Sequence, residues 1–306
     1  MCKVSFEISN SLQLIAFVAV YFTLLHYNCV NEWKMTNDAR NTVIFNTGQQ
    51  ILAIVSLMFL VGATFQTLLM RKQFWNISNS LIDIDIKMFE LLHIQINCND
   101  LYRHAVIYTI ISYVAMLLVY SGFAYYFYII DTGRLVQYML SFLLPNAAFS
   151  MLAIQFHILM YSMYLRFSLL NQFVESNMPQ ATSGLLSHSQ CLEFEKNIFA
   201  IAKITDLLNN VVPKLCYYFA VPITVSTAGV FCVTVFNFHN FYRMVDGRNT
   251  YQFYILMISY DLLSLLFIIW VFLCLVASYL NTSSVRTNLA TKIMQLRKST
   301  EKKYFL

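Results

Sequence analysis

The chain has 306 residues, of which 58% are apolar and only 11% are charged, against about 25% charged residues in an average soluble domain. That composition excludes an ordinary soluble globular domain and indicates that most of the surface faces lipid. The net charge of +5 does not indicate a nucleic-acid partner, because in a membrane protein the placement of Lys and Arg matters more than their sum. The seven cysteines are an odd number without a CxxC pair, so we expect no disulfide framework, metal site or cofactor.

Six apolar stretches are long enough to cross a bilayer, which needs about 20 helical residues for a core about 30 Å thick. Only helices satisfy every backbone polar group over such runs. The predicted fold is therefore all-α, a polytopic transmembrane helical bundle that forms one transmembrane domain over residues 1–306. The predicted spans cover residues 12–28, 47–70, 105–130, 135–165, 215–239 and 252–280.

The positions of the basic residues predict the orientation of this bundle. Fifteen of the 20 Lys and Arg residues lie in the N-terminal segment, the loops at 71–104 and 166–214, and the tail at 281–306. Basic loops stay in the cytoplasm, so we expect these segments and both termini on the cytoplasmic side.

Both long cytoplasmic loops are predicted to contain helices. In the first loop, residues 81–92 carry apolar side chains with charged residues between them, although the run begins with strict alternation. In the second, apolar residues recur at helical spacing from Leu192 to Leu208, so a helix should run towards the fifth span. Residues 176–189, with Pro179 and Gly184, are the predicted break before it. The alternative is a helix that lies on the inner leaflet.

Asp261 is the acidic residue that lies well inside a predicted span, and it is the first candidate for ligand binding. A charged side chain near the centre of a membrane helix costs about 2.5 to 3.5 kcal/mol, so it needs a partner, water or protonation. In the predicted orientation Asp261 lies in the outer half of the sixth span, where a ligand can arrive from outside. A carboxyl group that is hydrogen-bonded to a neighbouring Tyr or Ser is the structural alternative.

Other aromatic and polar residues in the outer halves of the spans extend this candidate pocket. Aromatic walls with a few polar groups suit a small organic ligand. The further candidates are Tyr120, Tyr125, Asn146, Thr234 and Asn237. Tyrosines near span ends also form interfacial belts, which is the alternative for the first two. Deeper in the fourth span, His157 is interpreted as a hydrogen-bonded structural residue.

The order of these features resembles the insect gustatory receptors, a family of seven-span chemoreceptor channels. The matching residues are diffuse and cover nearly the whole chain: Ile82 and Asp83, the run from Arg166 to Asn171, then His188, Leu192, Ile204 and Leu207 to Asn210. The resemblance implies a plasma-membrane protein with a cytoplasmic N-terminus. It also implies that four subunits, identical or different, surround a cation pore that the seventh helix lines.

The seventh helix of that family carries a TYxxxxxQF run, which this sequence lacks. Thr250 to Phe253 do not have the five-residue spacing, and the sequence ends at Leu306. The resemblance therefore implies a subunit of a ligand-gated cation channel that detects small tastants, with a non-conducting protein for want of the last helix as a variant of that hypothesis.

Other functions compete with this hypothesis. A secondary transporter could use Asp261 as a coupling carboxylate, although no repeated halves are visible. A vestigial structural membrane protein is the third alternative. An enzyme is not expected, because the sequence contains no HExxH, no GxSxG, no P-loop and no close acid pair within the spans.

Overall fold

The structure is a computed structural model, and it describes residues 70–130, 144–182, 188–245 and 251–304, together with residues 19, 23 and 62. Side chains are described mainly within 70–118, 147–177, 192–228 and 269–296. The first two predicted spans, 12–28 and 47–70, therefore lie almost wholly outside the described residues.

Five α-helices account for these stretches, and no strand occurs within them. They are α1 (Arg71–Leu92), α2 (Cys98–Ile130), α3 (Leu144–Thr182), α4 (His188–Val245) and α5 (Tyr251–Tyr304). The all-α prediction is thus confirmed for the described part of the chain. By length and composition two segments of it are apolar enough to cross a membrane, Cys98–Leu118 and Ile269–Leu296, so the count of six spans stays a prediction.

Three of the helices are longer than a bilayer requires. Helices α3, α4 and α5 contain 39, 58 and 54 residues, whereas about 20 residues cross the hydrocarbon core. The helix predicted at 192–208 is present and continues without a break into the predicted fifth span. The predicted break at 176–189 was wrong at its start, because α3 continues through Pro179 to Thr182. A proline removes one backbone hydrogen bond, which the turns on both sides can outweigh.

Local signals in the sequence explain the short connection between α1 and α2. His93 has a φ of 55°, the left-handed conformation that ends many helices. The backbone N–H groups of His93 and Ile94 donate to the carbonyls of Phe89 and Met88. At the start of α2, the Asn97 side-chain oxygen accepts the N–H of Asn99 at 3.1 Å, which is an N-cap.

The chain divides into two compact units. The first comprises Met1–Arg71, Thr109–Ile154 and Phe219–Phe272, and the second comprises Lys72–Tyr108, Gln155–Tyr218 and Leu273–Leu306. In the first unit the buried side chains described on α2 and α3 include Ser112, Met116, Ser150, Ala153 and Ile154. The second unit is described in more detail and contains most of the buried residues.

The core of the second unit is built from one apolar stripe on each of four helices. On every helix the buried residues recur three or four positions apart, which is the spacing of one helical face. The stripes are Ile77, Leu81, Ile84, Met88 and Leu92 on α1, Met160, Met163, Phe167, Leu170 and Val174 on α3, Ile201, Ile204, Leu208, Val211 and Leu215 on α4, and Leu275, Ser278, Thr282, Leu289 and Leu296 on α5. The apolar residues of α1 that fall between these positions, such as Ile82, Ile86 and Phe89, are exposed.

Candidate functional site

The second unit contains a group of polar and aromatic side chains that we call the histidine–aromatic cluster. It consists of His104 and Tyr108 on α2, His157 and Tyr161 on α3, and Ser278 on α5. The two pairs on α2 and α3 are each four residues apart, so each pair projects from one helical face. Three helices that are distant in sequence therefore meet at these five side chains.

A chain of hydrogen bonds runs through the cluster. The Nε2 atoms of His104 and His157 lie 3.1 Å apart, and Nδ1 of His157 lies 2.5 Å from the Ser278 hydroxyl. That hydroxyl also donates to the backbone carbonyl of Cys274 at 2.6 Å. A serine hydroxyl has one hydrogen, so Ser278 must accept from Nδ1 of His157. His157 therefore carries its proton on Nδ1, and its Nε2 accepts the N–H of His104.

Ring stacking holds the same groups in place. The rings of His104 and Tyr161 stack with centroids 3.7 Å apart and 15° between their planes. The rings of Tyr108 and His157 stack at 3.9 Å and 23°. Each histidine thus packs face to face on a tyrosine of the opposite helix, which restricts its rotation. This result agrees with the structural interpretation of His157 from the sequence.

A buried ion pair links α1 to α3 in the second unit. Arg166 donates from Nε and NH2 to the two carboxylate oxygens of Asp85, both at 2.7 Å. Its NH1 group donates to the Ser162 carbonyl at 2.8 Å and also to the Ser162 hydroxyl. The Arg166 side chain is only 5% exposed, against 33% for Asp85. The two-pronged geometry is the strongest that arginine and a carboxylate form.

A second ion pair links α3 to α5 closer to the surface. Lys292 donates to the Asn171 side-chain oxygen at 2.7 Å and pairs with Glu175. These contacts and the Arg166 pair cross-link three helices of the second unit through charged or polar side chains.

We expect Lys292→Ala to have a small effect, because Glu175 is 57% exposed and surface ion pairs contribute about 1 kcal/mol or less. Thermal unfolding of the purified protein in detergent should therefore show a slightly lower midpoint. Thr291→Ala is the matched control, since Thr291 is the exposed neighbour on the same helix. A loss as large as that from a buried ion pair would contradict this ranking.

The structure places all six predicted ligand-binding residues on helices but does not describe their side chains. Tyr120 and Tyr125 lie on α2, Asn146 on α3, Thr234 and Asn237 on α4, and Asp261 on α5. The predicted pocket thus lies outside the described side chains and stays a prediction. The residues that the structure does bring together were not predicted as a site.

Parts of the missed cluster had a signal in the sequence. In the predicted topology His104 directly precedes the third span, while His157 and Ser278 lie near the ends of the fourth and sixth. Polar residues at one membrane face of three spans can meet. The sequence does not show which of them meet, because His104 and His157 are 53 positions apart and His157 and Ser278 are 121 apart.

The described residues contain no group of three or more His, Cys, Asp and Glu side chains that could hold a metal ion. They do contain a half-open cavity of about 190 Å³ between α1 and α4. Its lining includes Asp83, Lys87, Asn210 and Lys214. The cavity is smaller than the 300 to 1,000 Å³ that is typical of ligand pockets, so we do not take it as the ligand site.

Comparison with known proteins gives one match. A family model described as 7tm chemosensory receptor matches residues 1–303 of this chain. No curated protein matches the chain. The match extends over the five described helices and over the residues before them.

Proposed function

The chain belongs to the 7tm chemosensory receptor family, and on that basis we propose that it is a subunit of a ligand-gated cation channel that detects small tastants at the plasma membrane. The observation that carries the proposal is the family match over residues 1–303, which confirms the resemblance found in the sequence. A receptor family also agrees with the expectation that the chain is not an enzyme.

The described contacts support the predicted orientation of the spans. From the positions of Lys and Arg, His104, His157 and Ser278 should all lie near the cytoplasmic ends of the third, fourth and sixth spans. The structure brings these three residues into one hydrogen-bonded cluster. Because adjacent spans run in opposite directions, omitting one of the intervening spans would separate the residues across the bilayer.

In the proposed mechanism the ligand enters from outside and binds in the outer halves of the spans. Asp261 contributes a charged hydrogen-bonding group there, and Tyr120, Tyr125, Asn146, Thr234 and Asn237 contribute aromatic walls and polar contacts. Helix α4 includes both the predicted fifth span and the helix of the second cytoplasmic loop. A shift of such a continuous helix on ligand binding would therefore reach the cross-linked second unit. Four subunits form the proposed assembly, with both termini in the cytoplasm.

Asp261→Asn tests the ligand site within this proposal. Asparagine keeps the size and hydrogen-bonding capacity of aspartate and removes the charge. In cells that express the chain, cation currents evoked by an activating tastant should need a higher tastant concentration in the variant. Surface labelling on the same cells should show a normal amount of protein.

Asp83→Asn is the matched control, since Asp83 is an exposed carboxylate with no predicted ligand contact. It should leave the dose–response curve unchanged. An unchanged curve for Asp261→Asn at normal surface level would remove Asp261 from the site, and a parallel loss of surface protein would assign it a role in folding instead.

A further inference from the structure

The histidine–aromatic cluster leaves one imidazole nitrogen without an assigned partner. Nδ1 of His157 donates to Ser278, and the two Nε2 atoms share the hydrogen between the rings. Nδ1 of His104 has no hydrogen-bond partner within the described part of the chain. His104 is only partly buried, so water can supply a proton to this nitrogen.

A further proton has different effects at the two histidines. On Nε2 of His157 it would face the N–H of His104 across 3.1 Å, and the bond between α2 and α3 would be lost. On Nδ1 of His104 it leaves the existing N–H in place and makes its donor ring a cation. Hydrogen bonds from a charged donor are about twice as strong as those between neutral groups.

We propose that His104 is a binding site for a cytosolic proton, and that its protonation strengthens the hydrogen bond that joins α2 to α3 at His157. The site is cytosolic because His104 directly precedes the third predicted span on its cytoplasmic side. Histidine is the side chain whose charge ordinarily changes between about pH 5 and 8, which includes the range of cytosolic pH.

Two further neighbours favour a charged His104. Its ring lies 3.7 Å from the ring of Tyr161 in a stacked arrangement, and the face of an aromatic ring attracts a cation. Asp100 lies four residues earlier on α2, the spacing at which opposite charges on a helix attract.

Other groups near the pair oppose the charge or leave it unaffected. Arg103 is the adjacent residue on α2, and partial burial removes some of the water that would solvate a cation. Tyr108, Tyr161 and Cys274 ordinarily ionise well above neutral pH, so they stay uncharged around the pair. Within the described residues neither histidine forms an ion pair with a carboxylate. The contacts that favour the charge therefore outnumber the one like charge.

The geometry fits a proton better than a metal ion. The ring centroids of His104 and His157 lie 5.4 Å apart, which exceeds the 3.1 Å between their Nε2 atoms by about two ring radii. The two nitrogens therefore point at each other along one line, as in a linear hydrogen bond. A zinc ion would need both lone pairs to converge on a point about 2.0 to 2.1 Å from each nitrogen and off that line.

The test compares the wild type with His104→Gln in lipid nanodiscs between about pH 8 and about pH 5. The glutamine amide can donate to His157 but cannot take up a proton. As the pH falls, the thermal unfolding midpoint of the wild type should rise relative to that of the variant by about 2 °C. His93→Asn controls for an exposed histidine, and it should follow the wild type at every pH.

Parallel pH profiles for the wild type and His104→Gln would overturn the proposal, and so would a wild-type midpoint that falls relative to the variant. If His104→Gln does not fold, NMR of the histidine side chains in the wild type replaces it. The proposal then requires that His104 gains a proton on Nδ1 while His157 keeps a single proton on its own Nδ1. The reverse order of protonation contradicts it.

A second arm of the test rests on the proposed function. In excised patches, a lower cytosolic pH should change the tastant-evoked current of the wild type and should leave that of His104→Gln, normalised to its own maximum, unchanged. The nanodisc measurement needs no current. A positive nanodisc result without any tastant response would therefore support the proton site and contradict the channel, so the two failures can be told apart.

Discussion

Replacing Asp85 with alanine should lower the free energy of unfolding by about 3 kcal/mol or more, one of the two largest losses that we expect. The variant leaves the Arg166 guanidinium 5% exposed with only the carbonyl and hydroxyl of Ser162 as recorded partners. A buried charge without its counter-ion cannot regain its solvation by water. Chemical unfolding of the purified protein in detergent measures the loss.

Two variants make this test specific to the buried pair. Asp83→Ala removes an exposed carboxylate two residues away on the same helix, and it should change stability by less than about 0.5 kcal/mol. The double replacement of Asp85 by leucine and Arg166 by methionine removes both charges, and it should be more stable than Asp85→Ala alone. Equal losses in Asp85→Ala and Asp83→Ala would show that the pair does not hold α1 to α3.

Phe167→Ala should cost about 3 to 5 kcal/mol, because its ring is fully buried between the helices of the second unit. Truncation leaves a cavity that the neighbouring side chains fill only in part. The same unfolding assay applies, and the amount of protein at the cell surface should fall with stability.

Phe199→Ala is the control for this prediction, since the Phe199 side chain is 71% exposed on α4. The ratio between the two effects decides the test. A loss from Phe199→Ala that equals or exceeds that from Phe167→Ala would mean that the buried stripe of α3 has been assigned to the wrong face.

The helices were the part of the fold that the sequence predicted best. Long apolar runs and the spacing from Leu192 to Leu208 depend on local periodicity, and both predictions correspond to helices. The strict alternation at residues 81–86 was ambiguous from the sequence. In the structure it belongs to α1, where Leu81 and Ile84 face the core and Ile82 and Ile86 are exposed.

The contacts between helices were not predictable in the same way. Asp85 and Arg166 lie 81 positions apart, and several other acidic and basic residues in the same loops were equally plausible partners before the structure was known. The resemblance to the insect gustatory receptors included Arg166 through its position in the run to Asn171, but it did not identify a partner. Pairing depends on how the helices pack, and neither periodicity nor charge count contains that information.

The six predicted ligand-binding residues illustrate a different limit. Asp261 was selected because an acidic group within an apolar run is costly, and that argument concerns one residue at a time. A pocket requires several side chains to converge, and convergence is a property of packing. The assignment of these residues to one pocket therefore still depends on the variants proposed above.

The most direct test of the receptor function is a current recording from excised membrane patches of cells that express the chain, with tastants applied to either face. Surface labelling first establishes that the protein is present in the membrane. The account predicts a cation current when an active tastant reaches the extracellular face and none when it is applied only to the cytoplasmic face. Patches that contain labelled protein but give no current with a broad panel of tastants, or that respond only from the cytoplasmic face, would contradict it.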